Sequence, residues 1–280
     1  VFWAVGDPGK TILHSSEEFT NTWSHYSGNI FTASCTESAS SGLFYQDHYP
    51  LRFAGIYPAN IDEAGEYAND GSDVWVRLWG DGSPENHNIH LSNAYVTTVY
   101  RGADPYAHKY IQWHGFTFLG FRHNVLSGYV VADDSVRRGI KYYRCIFLAT
   151  GGQEFVSWES HNWRNCGFFN CIFYRPVDYE SQSIDGIKIS NNCDSTNTDS
   201  VYNCVFVGLE DVYVNLSSSA LSHDYNIYYG YEDLNAGSFT ETFQANEQDV
   251  EPDFYRPIIT ADEPVSFRCD FNGNLLNVGT

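Results

Sequence analysis

The sequence predicts an all-β fold, a right-handed parallel β-helix with irregular N- and C-terminal caps. Three observations predict it. A short unit recurs through the middle of the chain, its residues alternate between two faces, and polar turn-forming links join its copies.

The unit reads His114-Gly115-Phe116-Thr117-Phe118-Leu119, then Tyr143-Arg144-Cys145-Ile146-Phe147-Leu148, then Phe169-Asn170-Cys171-Ile172-Phe173-Tyr174, then Tyr202-Asn203-Cys204-Val205-Phe206-Val207. Tyr225-Asn226-Ile227-Tyr228-Tyr229 follows in weaker form. Phe116, Cys145, Cys171, Cys204 and Asn226 share one position, so the copies lie 29, 26, 33 and 22 residues apart. Phe118, Phe147, Phe173, Phe206 and Tyr228 share the position two residues on. Residues two apart in a strand face the same side. Both series therefore face the core, and each stacks on its own kind in the next coil.

A second strand follows each unit: Gly128-Tyr129-Val130-Val131, Glu154-Phe155-Val156-Ser157-Trp158, Gly186-Ile187-Lys188-Ile189 and Asp211-Val212-Tyr213-Val214-Asn215. Trp163 to Phe168 suggests a third. The links are rich in Asn, Asp, Ser and Gly, which form turns readily. Asp73 to Gly80 alternates and is expected to begin the regular stack; helical periodicity is confined to residues 15–23. The expected division is one domain: an irregular entry segment over residues 1–70, coils over 71–230 and a capping segment over 231–280. A solenoid needs such caps to cover its apolar ends.

Composition narrows the function. With 35 acids against 15 bases the net charge is −20, a field that repels phosphate backbones and anionic membranes. No stretch approaches the roughly 18 apolar residues of a membrane span. The first residues, Val1 to Asp7, lack the basic start of a signal peptide. The seven cysteines include no CxxC pair, which argues against a zinc knuckle. The Cys-Ile-Phe context makes Cys145, Cys171 and Cys204 buried packing thiols, not crosslinks. The 21 Tyr, 19 Phe and 7 Trp exceed what one slender core holds, so some are expected on a flank covered by a partner.

Lys109-Tyr110-Ile111-Gln112-Trp113-His114-Gly115-Phe116-Thr117-Phe118 resembles the recurrent coil of right-handed parallel β-helix repeat proteins, the pectate-lyase-like superfold. His223 to Tyr229 resembles their common last coil, and Asp249 to Phe254 with Gly273 to Thr280 their closing segment. The group includes pectin and alginate lyases, polygalacturonases and bacteriophage tail appendages. The resemblance implies carbohydrate contact. The leading expectation is a structural virion component, a bacteriophage tail or surface appendage, assembled as a homotrimer or docked on a larger assembly. A secreted polysaccharide lyase and a bacterial surface adhesin are the alternatives. Virion or extracellular space is the expected location.

A lyase needs carboxylates for a hard cation and an Arg or Lys as base. No cofactor or metal is expected, because so many acids place some close together by chance; under the lyase alternative the candidates for catalysis are Arg144, Arg164, Arg175, Lys188 and Asp185, and those for calcium are Asp133, Asp134, Asp178 and Glu180. The Gly-His-Gly and Arg-Ile-Lys segments of polygalacturonases are missing, as is a Gly-x-Ser-x-Gly elbow. Sugar rings stack on Trp and Tyr, so Trp113, Trp158, Trp163, Tyr142, Tyr174 and Tyr179 are the carbohydrate-binding candidates.

Overall fold

The computed structural model describes residues 1–4, 11–14, 16–37, 44–47, 49–92, 110–119, 126–127, 137–148, 154–158, 163–175, 185–189, 199–215, 221–231, 233–237 and 244–249. These residues form an all-β structure dominated by parallel sheets.

Three parallel sheets carry the stack. The first contains Phe2–Trp3, Gln112–His114, Lys141–Tyr143, Gly167–Phe169, Asp199–Tyr202 and Leu221–Asp224. The second contains Thr11–His14, Phe116–Leu119, Ile146–Leu148, Ile172–Tyr174, Val205–Val207, Ile227–Tyr229 and Gln248–Asp249. The third contains Leu126–Ser127, Glu154–Trp158, Asp185–Ile189, Asp211–Asn215 and Asp233–Gly237. From residue 112 to 237 the chain passes first, second and third sheet in that order, circuit after circuit. A further parallel pair joins Arg137–Arg138 to Trp163–Arg164.

The corner between the first and second sheets explains part of the repeat. Gly115, Arg144, Asn170, Asn203 and Tyr225 stand there with φ of 76°, 53°, 55°, 52° and 60°. This left-handed conformation suits Gly and, among other residues, Asn best. Each corner stays in the ladder: the Gly115 amide donates to the Tyr143 carbonyl, Arg144 to Phe169 and Asn170 to Tyr202, each at 3.0 Å.

Immediately past the corner stand Phe116, Cys145, Cys171 and Cys204, all buried, and two residues on come the stacked rings. Phe118, Phe147, Phe173 and Phe206 lie nearly parallel with centroids 5.0, 4.7 and 4.7 Å apart, and Tyr228 extends the column at 5.6 Å. The Cys145 thiol donates to the Tyr143 carbonyl at 3.5 Å, and Cys171 to that of Phe169 at 3.5 Å. Burial raises the pKa of both thiols. Cys35, Cys145, Cys171 and Cys204 are free and buried, and Cys166 is buried; Cys193 and Cys269 lie outside the described residues.

Several expected boundaries are corrected. Phe2–Trp3 and Thr11–His14 pair in parallel with Gln112–His114 and Phe116–Leu119, so these residues already belong to the parallel sheets, ahead of Asp73. Asp73–Arg77 instead pairs antiparallel with Ile30–Ser34 and Glu66–Asn69. Alternation has the same period in either kind of sheet; the turn decides. Asp70 accepts from the Ser72 and Asp73 amides and Gly71 takes φ 88°, which folds residues 66–77 into a hairpin. Residues 16–92 thus form an inserted block with its own core, including Phe44, Tyr67, Val74 and Leu78. The helical periodicity of residues 15–23 gives way to the strand Ser16–Glu18, paired with Ile89–Ser92. At the other end, Asp233–Gly237 and Gln248–Asp249 continue the third and second sheets beyond residue 230.

The block also covers part of the stack. Tyr45 packs on Leu119, Ile146 and Leu148, which face outward from the second sheet. Part of the aromatic and apolar surplus is therefore covered within the chain.

Candidate functional site

The first sheet positions the most distinctive surface. Trp113, Tyr142, Phe168, Val201 and His223 are in register and buried, so the residue after each faces outward. The outward series is Trp3, His114, Tyr143, Phe169 and Tyr202. Successive rings stack with centroids 3.9, 4.7, 5.0 and 6.3 Å apart and interplanar angles of 16° or less. Strand spacing sets this ladder, since rings on adjacent strands meet face to face. Interior rings therefore present their edges to solvent. Trp3, 68% exposed at one end, keeps one face open.

Polar and basic groups line the ladder. Lys141 lies 5.6 Å from the Phe169 centroid, a cation–π contact. The His114 imidazole approaches the Gln112 carbonyl oxygen at 3.4 Å, and Tyr202 and Ser222 bond through their hydroxyls. Gly167 lets Phe169 lean across it, for a Cβ there would lie 2.9 Å from that ring. Partial burial lowers the His114 pKa, with the positive charge of Arg144 adding to the effect; burial raises that of Tyr143. Lys141 and Arg144 make this strip locally basic in a chain of net charge −20.

The structure revises the expected sugar-binding residues. Trp113 and Tyr142, 9% and 1% exposed, point into the core and offer no ring face to a ligand. Tyr174 is half-buried against the cluster that holds Tyr45. Trp158 and Trp163 lie in described strands with side chains outside the described residues, as do Arg164 and Lys188. Tyr179, Asp133, Asp134, Asp178 and Glu180 lie wholly outside them.

Of the catalytic candidates, Arg144 is exposed at the first corner, whereas Arg175 is buried, 7% exposed, at the next. Asp185 opens a third-sheet strand beyond that second corner. Arg144 and Arg175 thus stand at different corners. By backbone register Glu154, Asp185, Asp211 and Asp233 form a column along the third sheet. Among the described residues no three His, Cys, Asp or Glu side chains gather closely enough to hold a metal ion.

Sequence reasoning missed two polar clusters. In the inserted block, His87 Nδ1 lies 3.1 Å from Asp47 Oδ2 and 3.2 Å from Gln46 Nε2. An Asp–His pair can orient an imidazole for proton transfer, but among the described residues no hydroxyl or thiol meets His87. At the C-terminal end of the core, Glu247 meets His223, Asn226 and Tyr228. Neither cluster has a local sequence signal, because the side chains that meet in it lie 19 to 41 residues apart.

Comparison with protein-family models, curated proteins and solved structures gives no match.

Proposed function

We propose that the three parallel sheets are the faces of a right-handed parallel β-helix, and that this protein is a non-catalytic appendage component that contacts glycans. A bacteriophage tail or another extracellular surface structure is the setting this reading favours. The observation that carries it is the outward ladder of Trp3, His114, Tyr143, Phe169 and Tyr202 on the first sheet. Trp3 supplies an open ring face for the C–H side of a sugar. Ring edges, tyrosine hydroxyls, Gln112 and Ser200 line the rest of the strip and suit hydroxyl groups. Lys141 and Arg144 favour an anionic sugar, which the rest of this acidic surface would repel.

Binding to a panel of neutral and uronate polysaccharides tests the reading. A uronate polymer should bind, and Trp3→Ala should weaken it about two- to twelvefold, the worth of roughly 0.5–1.5 kcal/mol for an aromatic contact. Lys141→Met should weaken an anionic ligand and leave a neutral one unchanged. Binding untouched by both substitutions would remove the ladder from the site, and unsaturated uronate products would make the protein a lyase.

The same reading includes self-association as a homotrimer. Light scattering at moderate salt should give three times the 31.8 kDa chain mass. A monomer at micromolar concentration would leave the glycan reading standing without the trimer.

A further inference from the structure

The inner columns change character at their last circuit. Trp113, Tyr142, Phe168 and Val201 give way to His223, and the column of Phe116 and three cysteines gives way to Asn226. Asn226, fully buried, accepts from the Cys204 amide at 2.8 Å and donates to the Val201 carbonyl at 3.0 Å. These polar groups meet one carboxylate from a later segment. Glu247 Oε1 lies 2.8 Å from His223 Nδ1, 2.9 Å from Asn226 Nδ2 and 2.5 Å from the Tyr228 hydroxyl. Its Oε2 accepts from the Gln244 amide at 2.9 Å.

We infer that residues 244–249 are a detachable plug that closes the C-terminal end of the core, locked by ionised Glu247 and released by acid. Among the described residues the plug is also held by the parallel pairing of Gln248–Asp249 with Ile227 and Tyr228 and by a few further bonds. Its Gln248 amide donates to the Asn226 carbonyl at 3.0 Å, and Asn246 bonds Asp224 through its amide and side chain at 3.3 and 3.0 Å. The Tyr231 hydroxyl reaches Asp249 at 3.2 Å. The Glu247 and His223 side chains are 0% and 1% exposed, so losing the carboxylate's charge strands buried donors.

The titratable groups around the lock come from every neighbouring element. The first sheet supplies His223 and Asp224, the second Tyr228, the third Tyr213, and the plug itself Asp249. The Tyr213 and Tyr228 hydroxyls bond each other at 3.1 Å, which backs the lock with a second polar layer. Burial alone would raise the Glu247 pKa, but the bonds from His223 and Tyr228 outweigh it and hold it below the ordinary 4.5. A carboxylate with a depressed folded pKa stabilises above its unfolded value, and that contribution is lost as pH falls through the folded one. The plug therefore stays shut at neutral pH and loosens progressively as pH falls below the ordinary carboxylate value of 4.5.

Amide hydrogen exchange on the full chain, corrected for the intrinsic pH dependence, tests this. From about pH 6 to about pH 3.5 the Glu247 and Gln248 amides should lose protection by up to about tenfold, the effect of one pH unit below the ordinary carboxylate value. The Val205 and Ile172 amides, bonded to the Cys171 and Cys145 carbonyls, should keep theirs. Glu247→Gln should show the same selective loss already at pH 6. Simultaneous loss at both sets of amides, or retained protection at the plug, overturns the inference. If the variant does not fold, the wild-type pH series decides alone.

Discussion

Phe173→Ala is expected to destabilise the protein by about 3–5 kcal/mol, the usual result of removing a fully buried ring. The ring lies 4.7 Å from Phe147 on one side and 4.7 Å from Phe206 on the other, with Phe168 meeting it edge-on at 5.2 Å. Backbone pairing holds the adjacent circuits in register, so neighbours have little freedom to fill the gap. The cavity would also interrupt the column at its centre. Urea unfolding of the variant beside Tyr26→Ala, whose ring is 52% exposed, gives the comparison. The Tyr26 change should stay within about 0.5 kcal/mol. Equal losses in the two variants would show that the Phe column does not carry the core.

Stability should fall as pH rises from about 4 to above 7, and Asp199→Asn should abolish most of that fall. Asp199 is 2% exposed, and its carboxyl accepts from the Cys166 amide at 2.9 Å. Burial outweighs that bond and raises its pKa from 3.8 to about 7. The folded chain then keeps a proton that the unfolded chain releases near pH 4, so folding weakens throughout that window. Each pKa unit corresponds to about 1.4 kcal/mol, and the whole effect is on the order of 4 kcal/mol. Asparagine keeps the acceptor for Cys166 and has no charge to bury. Glu66 and Glu247 act in the opposite direction, because their pKa values are lowered and their stabilisation disappears under acid. Unfolding free energies measured across the range for both chains check the effect. Parallel curves for wild type and Asp199→Asn would assign the pH dependence to another group.

The candidate site was far less legible than the core. Cys145, Cys171 and Cys204 recur with a phenylalanine two residues on, and a like residue on a like residue is visible in a single sequence. The strands Glu154–Trp158 and Asp211–Asn215 were also readable, because apolar residues alternate within them. The first sheet has no such signature. Its inward column changes from Trp113 to Tyr142, Phe168, Val201 and His223, and its outward column from His114 to Tyr143, Phe169 and Tyr202. Any bulky residue can stack there, so selection leaves no shared letter. Whether Trp113 and Tyr142 face the core or a ligand is consequently not legible in the sequence. One step in parity separates a core ring from a surface ring.

The sequence by itself determined the all-β character, the repeated core unit and the packing role of its cysteines. Those properties follow from neighbours within a few residues and from one column repeated along the chain. Only the tertiary structure decided that Phe2–Trp3 and Thr11–His14 belong to the stack, that the described strands between residues 16 and 92 form a separate, mainly antiparallel block, and that Tyr45 covers the second sheet. It also decided that Glu247 meets His223 across 24 positions. The physical reason is that strand pairing and buried polar contacts are made between distant residues. Alternation tells a strand which side to bury; the partner is chosen by register and turn geometry once the chain has closed on itself.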